Sequence, residues 1–380
     1  MRVLMGVAVR TTRGLGCALG LLALAACAPG ALLEYRSNQS PTVNLPLAAA
    51  GVTDQREAFG ALFAAELAAS EEGASGAVTD WLHGVAAGSV VPSTAPSRAA
   101  FAAHARATAV ILVPGLFGDC LGPYAVPFGD GVEHPEGSPD SAAYARFDDL
   151  GLYAMRMAVL PGRASSAANG VRLAAQIRAE VARPGVKRIV LVGYSKGVAD
   201  ALNALEVLQR NGGIPPQVQA LVSVAGTVMG TPVADHFESL YEALSPHFTP
   251  LDCTPSEGGD VTSVTRHERV AWLAEHGVPE GIAYHSIVAF MPRAEMAPAL
   301  RTPARMLEAI DPRNDGQVLA ADAILPGGSL LAEVRADHWS VALPRAAHPN
   351  LAMRAMSSGA AFPQEVLLRA TLIWVVGGLP

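Results

Sequence analysis

The pentapeptide Gly193-Tyr194-Ser195-Lys196-Gly197 sets a serine between two glycines. A hydroxyl at the tip of a sharp strand-to-helix turn can act as a nucleophile, and such a turn needs small flanking residues because strand and helix approach closely there. The surrounding sequence fits that geometry. The apolar run Ile189-Val190-Leu191-Val192 precedes the turn, and Val198, Leu202, Leu205 and Leu208 follow on one helical stripe. A serine hydroxyl becomes reactive when a base takes its proton and a carboxylate orients that base, and this kind of turn demands the order serine, acid, histidine. Among the downstream histidines, His236, His247, His267 and His276 fall in a probable insertion and His285 in a strand, which leaves His338 as the candidate base with His348 as its rival. The turn tripeptide Asn314-Asp315-Gly316 can expose a carboxylate, so Asp315 is the candidate acid and Asp311 the nearest alternative. An oxyanion formed at this serine needs two backbone donors. By position these are the amide of Lys196 and, from the loop Pro114-Gly115-Leu116-Phe117-Gly118-Asp119, that of Leu116.

These residues must be carried by a scaffold. Val110-Ile111-Leu112-Val113, closed by Pro114-Gly115, reads as a strand buried on both faces, and Tyr153 to Leu160 as another. Residues 169–181 carry helical periodicity, and Ala220 to Ala225 is a further buried run. The alternation predicts an α/β fold with a doubly wound, mainly parallel sheet, assigned to residues 99–380. An insertion at about 231–280, with Leu240, Leu244, Val270 and Leu273 in two amphipathic stretches, is expected to act as a lid. Upstream, Asp54 with Glu57 is a cap signal before a helix presenting Phe59, Leu62, Phe63 and Leu67, followed by a short element at Trp81-Leu82 and a proline-bearing linker, Ser89 to Ser97. Residues 54–98 are therefore expected to form an N-terminal helical extension and linker.

The 380 residues, with 37 Gly, 28 Pro and 16% charged residues, exclude a disordered chain, and the net charge of −7 argues against a nucleic-acid partner. Arg2, Arg10 and Arg13 precede the apolar stretch Leu15 to Ala26, in the order of a secretory signal. Roughly 12 apolar residues reach about 18 Å as helix, too short for a ~30 Å hydrocarbon core. Leu24-Ala25-Ala26-Cys27 resembles the lipobox of bacterial lipoproteins. That resemblance implies a signal peptide over 1–26, acylation of Cys27, a tether over 27–53 and anchoring to the cell envelope; Ala28 points to the outer membrane. In an exported protein Cys120 and Cys253 remain as an even pair, and a disulfide between them is expected.

Across roughly residues 108–345 the chain resembles the bacterial triacylglycerol lipases of the α/β-hydrolase superfamily. The resemblance rests on the loop 114–119, on Val222-Ser223-Val224-Ala225-Gly226-Thr227 through Gly230-Thr231-Pro232-Val233-Ala234-Asp235, on Asn314-Asp315-Gly316-Gln317-Val318, and on the 23-residue interval from Asp315 to His338. It implies an α/β-hydrolase fold and a serine hydrolase that cleaves carboxylic esters through an acyl-enzyme without a cofactor, acting on an ester or lipid substrate. Tyr194 replaces the usual histidine, Lys196 a glutamine or histidine, and Pro114 the loop histidine. Ser340 stands where calcium-dependent members carry an aspartate, so no metal is expected. An acyltransferase with the same triad and a non-catalytic envelope lipoprotein using the fold as a binding scaffold are the alternatives.

Overall fold

Strands form where valine, isoleucine and leucine run without interruption, because a strand covered on both faces has no polar side to show. The computed structural model describes residues 32–35, 43–70, 76–86, 88–93, 95–120, 122–135, 142–244, 254–344 and 362–380. In chain order these contain β1 (Leu32–Tyr35) and β2 (Val43–Pro46), which pair antiparallel, then β3 (Thr53–Asp54), α1 (Arg56–Ala69), α2 (Val78–Trp81) and α3 (Arg98–Ala105). Next come β4 (Thr108–Val113), β5 (Ala154–Met157), α4 (Ser166–Val181), β6 (Arg188–Tyr194), α5 (Lys196–Arg210) and β7 (Val218–Val224). The chain continues through α6 (Pro232–Leu244), α7 (Arg266–His276), β8 (Ala283–Ala289), α8 (Arg301–Glu308), β9 (Ser329–Val334) and α9 (Gln364–Gly377).

Strands β3 to β9 make a seven-stranded sheet in the order β3-β9-β8-β7-β6-β4-β5, parallel throughout. The protein has an α/β-hydrolase fold. The connection after β4 leads outward to β5, whereas that after β6 leads the other way to β7, so the order reverses between β4 and β6. A crevice opens at such a switch point beyond the carboxyl ends of the strands. The period of two along each strand sends Val110, Leu112, Val190, Val192, Ala220 and Val222 to one face, with Phe59 and Phe63 of α1, Phe101 of α3 and Leu372 and Trp374 of α9. Ala109, Ile111, Ile189, Leu191 and Leu221 face the other way, against Leu173 and Ile177 of α4, Leu202 and Leu205 of α5 and Trp272 of α7.

Four expectations need adjustment. The segment 54–98 is not a separate extension in its packing. Thr53 and Asp54 pair in parallel with Ser329 and Leu330 to form the sheet edge, and Phe59 meets Trp374 edge-on at 5.9 Å within the main core. Burying those aromatic faces requires the far end of the chain, which local periodicity cannot reveal. The end of the expected tether joins in too, since Leu47 and Val52 are buried with Val288 and Leu330. Asp54 is a strand residue and Gln55 occupies the helix cap, although the Asp54 carboxylate still accepts the Arg56 N–H at 3.1 Å. Finally, the later part of the 231–280 insertion is scaffold: Arg269 and Trp272 of α7 are buried against the sheet-covering helices. Cys27, Cys253, His247 and His348 lie outside the described residues.

Candidate active site

β6 ends at Tyr194 and α5 begins at Lys196, so Ser195 alone makes the turn, with φ 55° and ψ −126°. A non-glycine residue held there is strained, and such strain persists where the surroundings over-determine it. Here the Ser195 N–H donates to the Val224 carbonyl at 3.1 Å, and the Ser195 carbonyl accepts from Val198 and Thr227 at 3.1 and 3.2 Å. Gly197 is required because a side chain on it would collide with the carbonyl oxygens of Val113 and Pro114. The elbow is thereby pressed against the end of β4.

Asp315 sits in a tight turn after α8. Its Oδ1 accepts the N–H groups of Gln317 and Val318 at 2.8 and 2.7 Å, and Gly316 at φ 92° supplies the left-handed step. These bonds fix the carboxylate so that Oδ2 meets His338 Nδ1 at 2.7 Å. His338 Nε2 in turn lies 2.8 Å from Ser195 Oγ. An ionised carboxylate only accepts, so Nδ1 carries the proton and donates it, which leaves Nε2 to accept from the serine hydroxyl. Both partners of the His338–Asp315 pair are almost wholly buried, at 3% and 1% side-chain exposure, which removes water as a competitor. The structure therefore brings Ser195, His338 and Asp315 together. Asp311 points elsewhere: its carboxylate is held by the Arg313 guanidinium at 2.7 Å and by the Arg313 N–H at 2.8 Å.

The loop after β4 lies across the elbow, close enough that a Cβ on Gly115 would stand 3.0 Å from Ser195 Cβ. Gly118 and Cys120 donate their amides back into the loop, and Phe117, at φ 60°, donates to the Gly162 carbonyl. The amides of Leu116 and Lys196 have no hydrogen-bond partner among the described residues. The Leu116 side chain packs with Ala234, Val261 and Val264, so residues from both halves of the insertion wall one side of this region.

Several positioning groups lie outside the sequence reading. The Tyr194 hydroxyl donates to the His338 carbonyl at 2.7 Å, its ring 5.3 Å from the imidazole. Asp337, wholly buried, accepts the N–H groups of Ala297, Trp339 and Ser340 at 2.8, 3.1 and 2.8 Å and so pins the histidine loop to the segment before α8. Its place beside His338 was the available signal, but an acidic residue in a loop is usually solvated. Cys120 is disulfide-bonded. Thr254, next to Cys253 in the chain, donates its N–H to Asp119 at 3.2 Å, so the chain after Cys253 runs beside Cys120. Among the described residues no group of three or more His, Cys, Asp or Glu side chains could hold a metal ion.

No protein-family model and no curated protein matches the chain. Among solved structures it is similar to a metagenomic carboxyl esterase, MGS0156, with 33% identity and a TM-score of 0.69 over 88% of this chain and 96% of that one. Looser similarity extends to the mature Bacillus licheniformis lipase BlEst2, 19% identical over 60% of this chain and 84% of that one with a TM-score of 0.44. It also extends to lipase 1 from Pelosinus fermentans, 13% identical over 72% and 99% of the two chains with a TM-score of 0.48.

Proposed function

The chain belongs to the carboxyl esterases of the α/β-hydrolase fold, a carboxylic ester hydrolase, and from that premise we propose that it works through an acyl-enzyme on Ser195. The serine oxygen attacks the ester carbonyl while His338 Nε2 takes its proton. Asp315 holds the imidazole through Nδ1 and stabilises the imidazolium. The amides of Leu116 and Lys196 receive the oxyanion. His338 then returns the proton to the leaving alcohol, and water, deprotonated by the same imidazole, releases the acid. The observation that carries this reading is the unbroken buried line from Ser195 Oγ through His338 to Asp315 Oδ2, with links of 2.8 and 2.7 Å. Lipid anchoring at Cys27, placement at the cell envelope and a Cys120–Cys253 bridge belong to the same proposal, on the sequence arguments above. A fluorophosphonate probe tests the nucleophile: labelling of the wild type but not of Ser195→Ala, with hydrolysis lost in parallel, is expected. Ester hydrolysis that survives Ser195→Ala would overturn it.

A further inference from the structure

Lys196 follows the proposed nucleophile, yet its side chain turns inward and is 2% exposed. Its Nζ donates to Asp200 Oδ1 at 2.6 Å, one turn along α5. The other carboxylate oxygen of Asp200 accepts from Asn169 Nδ2 at 2.8 Å, and that same amide nitrogen reaches the Pro161 carbonyl at 3.1 Å. Asn169, in the first turn of α4, is 1% exposed. The chain of bonds continues from the 161–162 loop to the loop after β4. The Gly162 carbonyl accepts the Phe117 N–H at 3.2 Å, and the Gly162 N–H donates to Asp119 Oδ1 at 3.0 Å. Asp119 Oδ2 takes the Thr254 N–H.

The two amides proposed to receive the oxyanion come from different elements, Lys196 from the start of α5 and Leu116 from the loop after β4. Oxyanion donors act only when both point within about 2.7–3.1 Å of the place where the charge develops. We infer that Asn169, together with Asp200 and Asp119, forms a positioning network that sets the spacing of these two donors. The inference rests on the reading of Ser195 as nucleophile. It also accounts for the lysine after the serine: a charge buried in low dielectric is held firmly by its partner, so the residue that carries one donor amide is locked at both backbone and side chain.

Asn169→Ala removes both Nδ2 bonds without touching Ser195, His338 or Asp315. Asp119→Asn loosens the opposite end, a second variant should the first fold poorly. Thr371→Val serves as control, since it deletes a buried hydroxyl that donates to the Leu367 carbonyl within α9, on the other side of the sheet. The full chain is assayed with p-nitrophenyl butyrate and with a trifluoromethyl ketone, which binds as a tetrahedral oxyanion adduct. Asn169→Ala is expected to lower kcat about 10- to 100-fold with KM within about twofold, and to weaken the ketone by the same factor. Asp119→Asn should show the same parallel loss, smaller, while Thr371→Val lowers Tm alone. Unchanged kcat per active site in both network variants, or a fall in kcat without a fall in ketone affinity, would overturn the network. Ser195→Ala run alongside keeps the two ideas apart: activity surviving there overturns the nucleophile, whereas an inactive Ser195→Ala beside an unaffected Asn169→Ala overturns only the positioning role.

Discussion

The two faces of the sheet are built on different principles. The face under α1, α3 and α9 is packed from large apolar groups: Phe59, Phe63, Phe101, Leu372 and Trp374 lie against alternate valines and leucines of the strands. The opposite face, under α4, α5 and α7, has an apolar floor as well, but charged and amide side chains are set into it. Lys196, Asp200, Asn169 and Arg269 are all nearly inaccessible there. Arg269 donates Nε to the Val228 carbonyl at 3.3 Å, stacks its guanidinium 4.6 Å from the Trp272 ring, and is pushed down to about 10 by burial. Burying charge costs more than burying leucine of similar volume, so polar groups are a poor route to stability. They give direction instead. The apolar face holds the sheet together, and the polar face aims the elements that meet at its carboxyl edge.

The sharpest way to break that comparison lies at the edge itself. Asp315→Asn keeps the shape of the turn but presents the wrong hydrogen-bonding group to His338 Nδ1, so the imidazole loses both its orientation and its counter-charge. Turnover should fall about 10³–10⁴-fold with the melting temperature little changed. Asp311→Asn, four residues away and committed to Arg313, should retain most activity. Equal losses in equally folded variants would mean that the loop acts as a unit and that aim does not reside in one carboxylate.

The next effect should appear on the apolar face and leave chemistry alone. Leu372 is fully buried in α9, and Leu372→Ala leaves a cavity there. The expected destabilisation is about 2–5 kcal/mol by denaturant unfolding, with kcat of the folded enzyme unchanged. A change in kcat of the folded fraction would show that the two faces are coupled through the sheet.

How much of this was readable beforehand follows from the same division. The elbow, the candidate acid and the candidate histidine were legible because each role demands a residue type, and the strands because burial on both faces leaves uninterrupted apolar runs. Choosing Asp315 over Asp311 rests on turn chemistry, with Gly316 permitting the sharp step and Pro312 biasing Asp311 towards extended backbone, and on the interval to His338 that the family resemblance supplies. The role of Thr53 and Asp54 as an edge strand was not legible, since two residues carry no periodicity and their partner, β9, lies some 270 residues downstream. The same holds for the contacts among Lys196, Asp200, Asn169 and Pro161: no local pattern announces them, and only the fold brings the three segments that carry them into one hydrogen-bonded chain.

A smaller effect tests the apolar face through a titratable group placed on it. His285 of β8 lines a cleft at the amino ends of the strands with Ala58, Trp374 and Leu379, and its Nδ1 has no hydrogen-bond partner among the described residues. Burial pushes the imidazole down from 6.5 to about 4. The unfolded chain therefore binds a proton that the native state refuses between those values, so stability is full above about pH 6.5 and is lost as pH falls towards 4. Over the interval from pH 7 to 4.5 this group should account for about 2 kcal/mol. His285→Phe should flatten the acid limb of stability by that amount while the wild type shows it in full. Limbs of equal steepness would show that water or a rearranged cleft already serves the imidazole. His83, stacked on Phe290 at 4.0 Å, is also lowered by burial and acts in the same direction in both proteins.

The smallest expected effect concerns metal, and it bears on whether the edge is aimed by the protein alone. The calcium-dependent members of the family that the sequence resembles carry an aspartate two residues after the histidine. Here that position is Ser340, whose hydroxyl accepts the Asp337 N–H at 3.0 Å and closes a turn. The nearby carboxylate, Asp337, is engaged by three backbone N–H groups and ties the loop to Ala297 directly. Backbone N–H donors thus tie Asp337, and with it the histidine loop, into the protein. EDTA should accordingly change kcat by less than about twofold, because backbone N–H groups already hold the loop in place. Asp337→Asn should be the more damaging perturbation, since an amide cannot accept from all three N–H groups, and it should lower both Tm and kcat at saturating substrate. Activity lost with EDTA and restored by calcium would reverse that ranking and place an ion among the groups that aim His338.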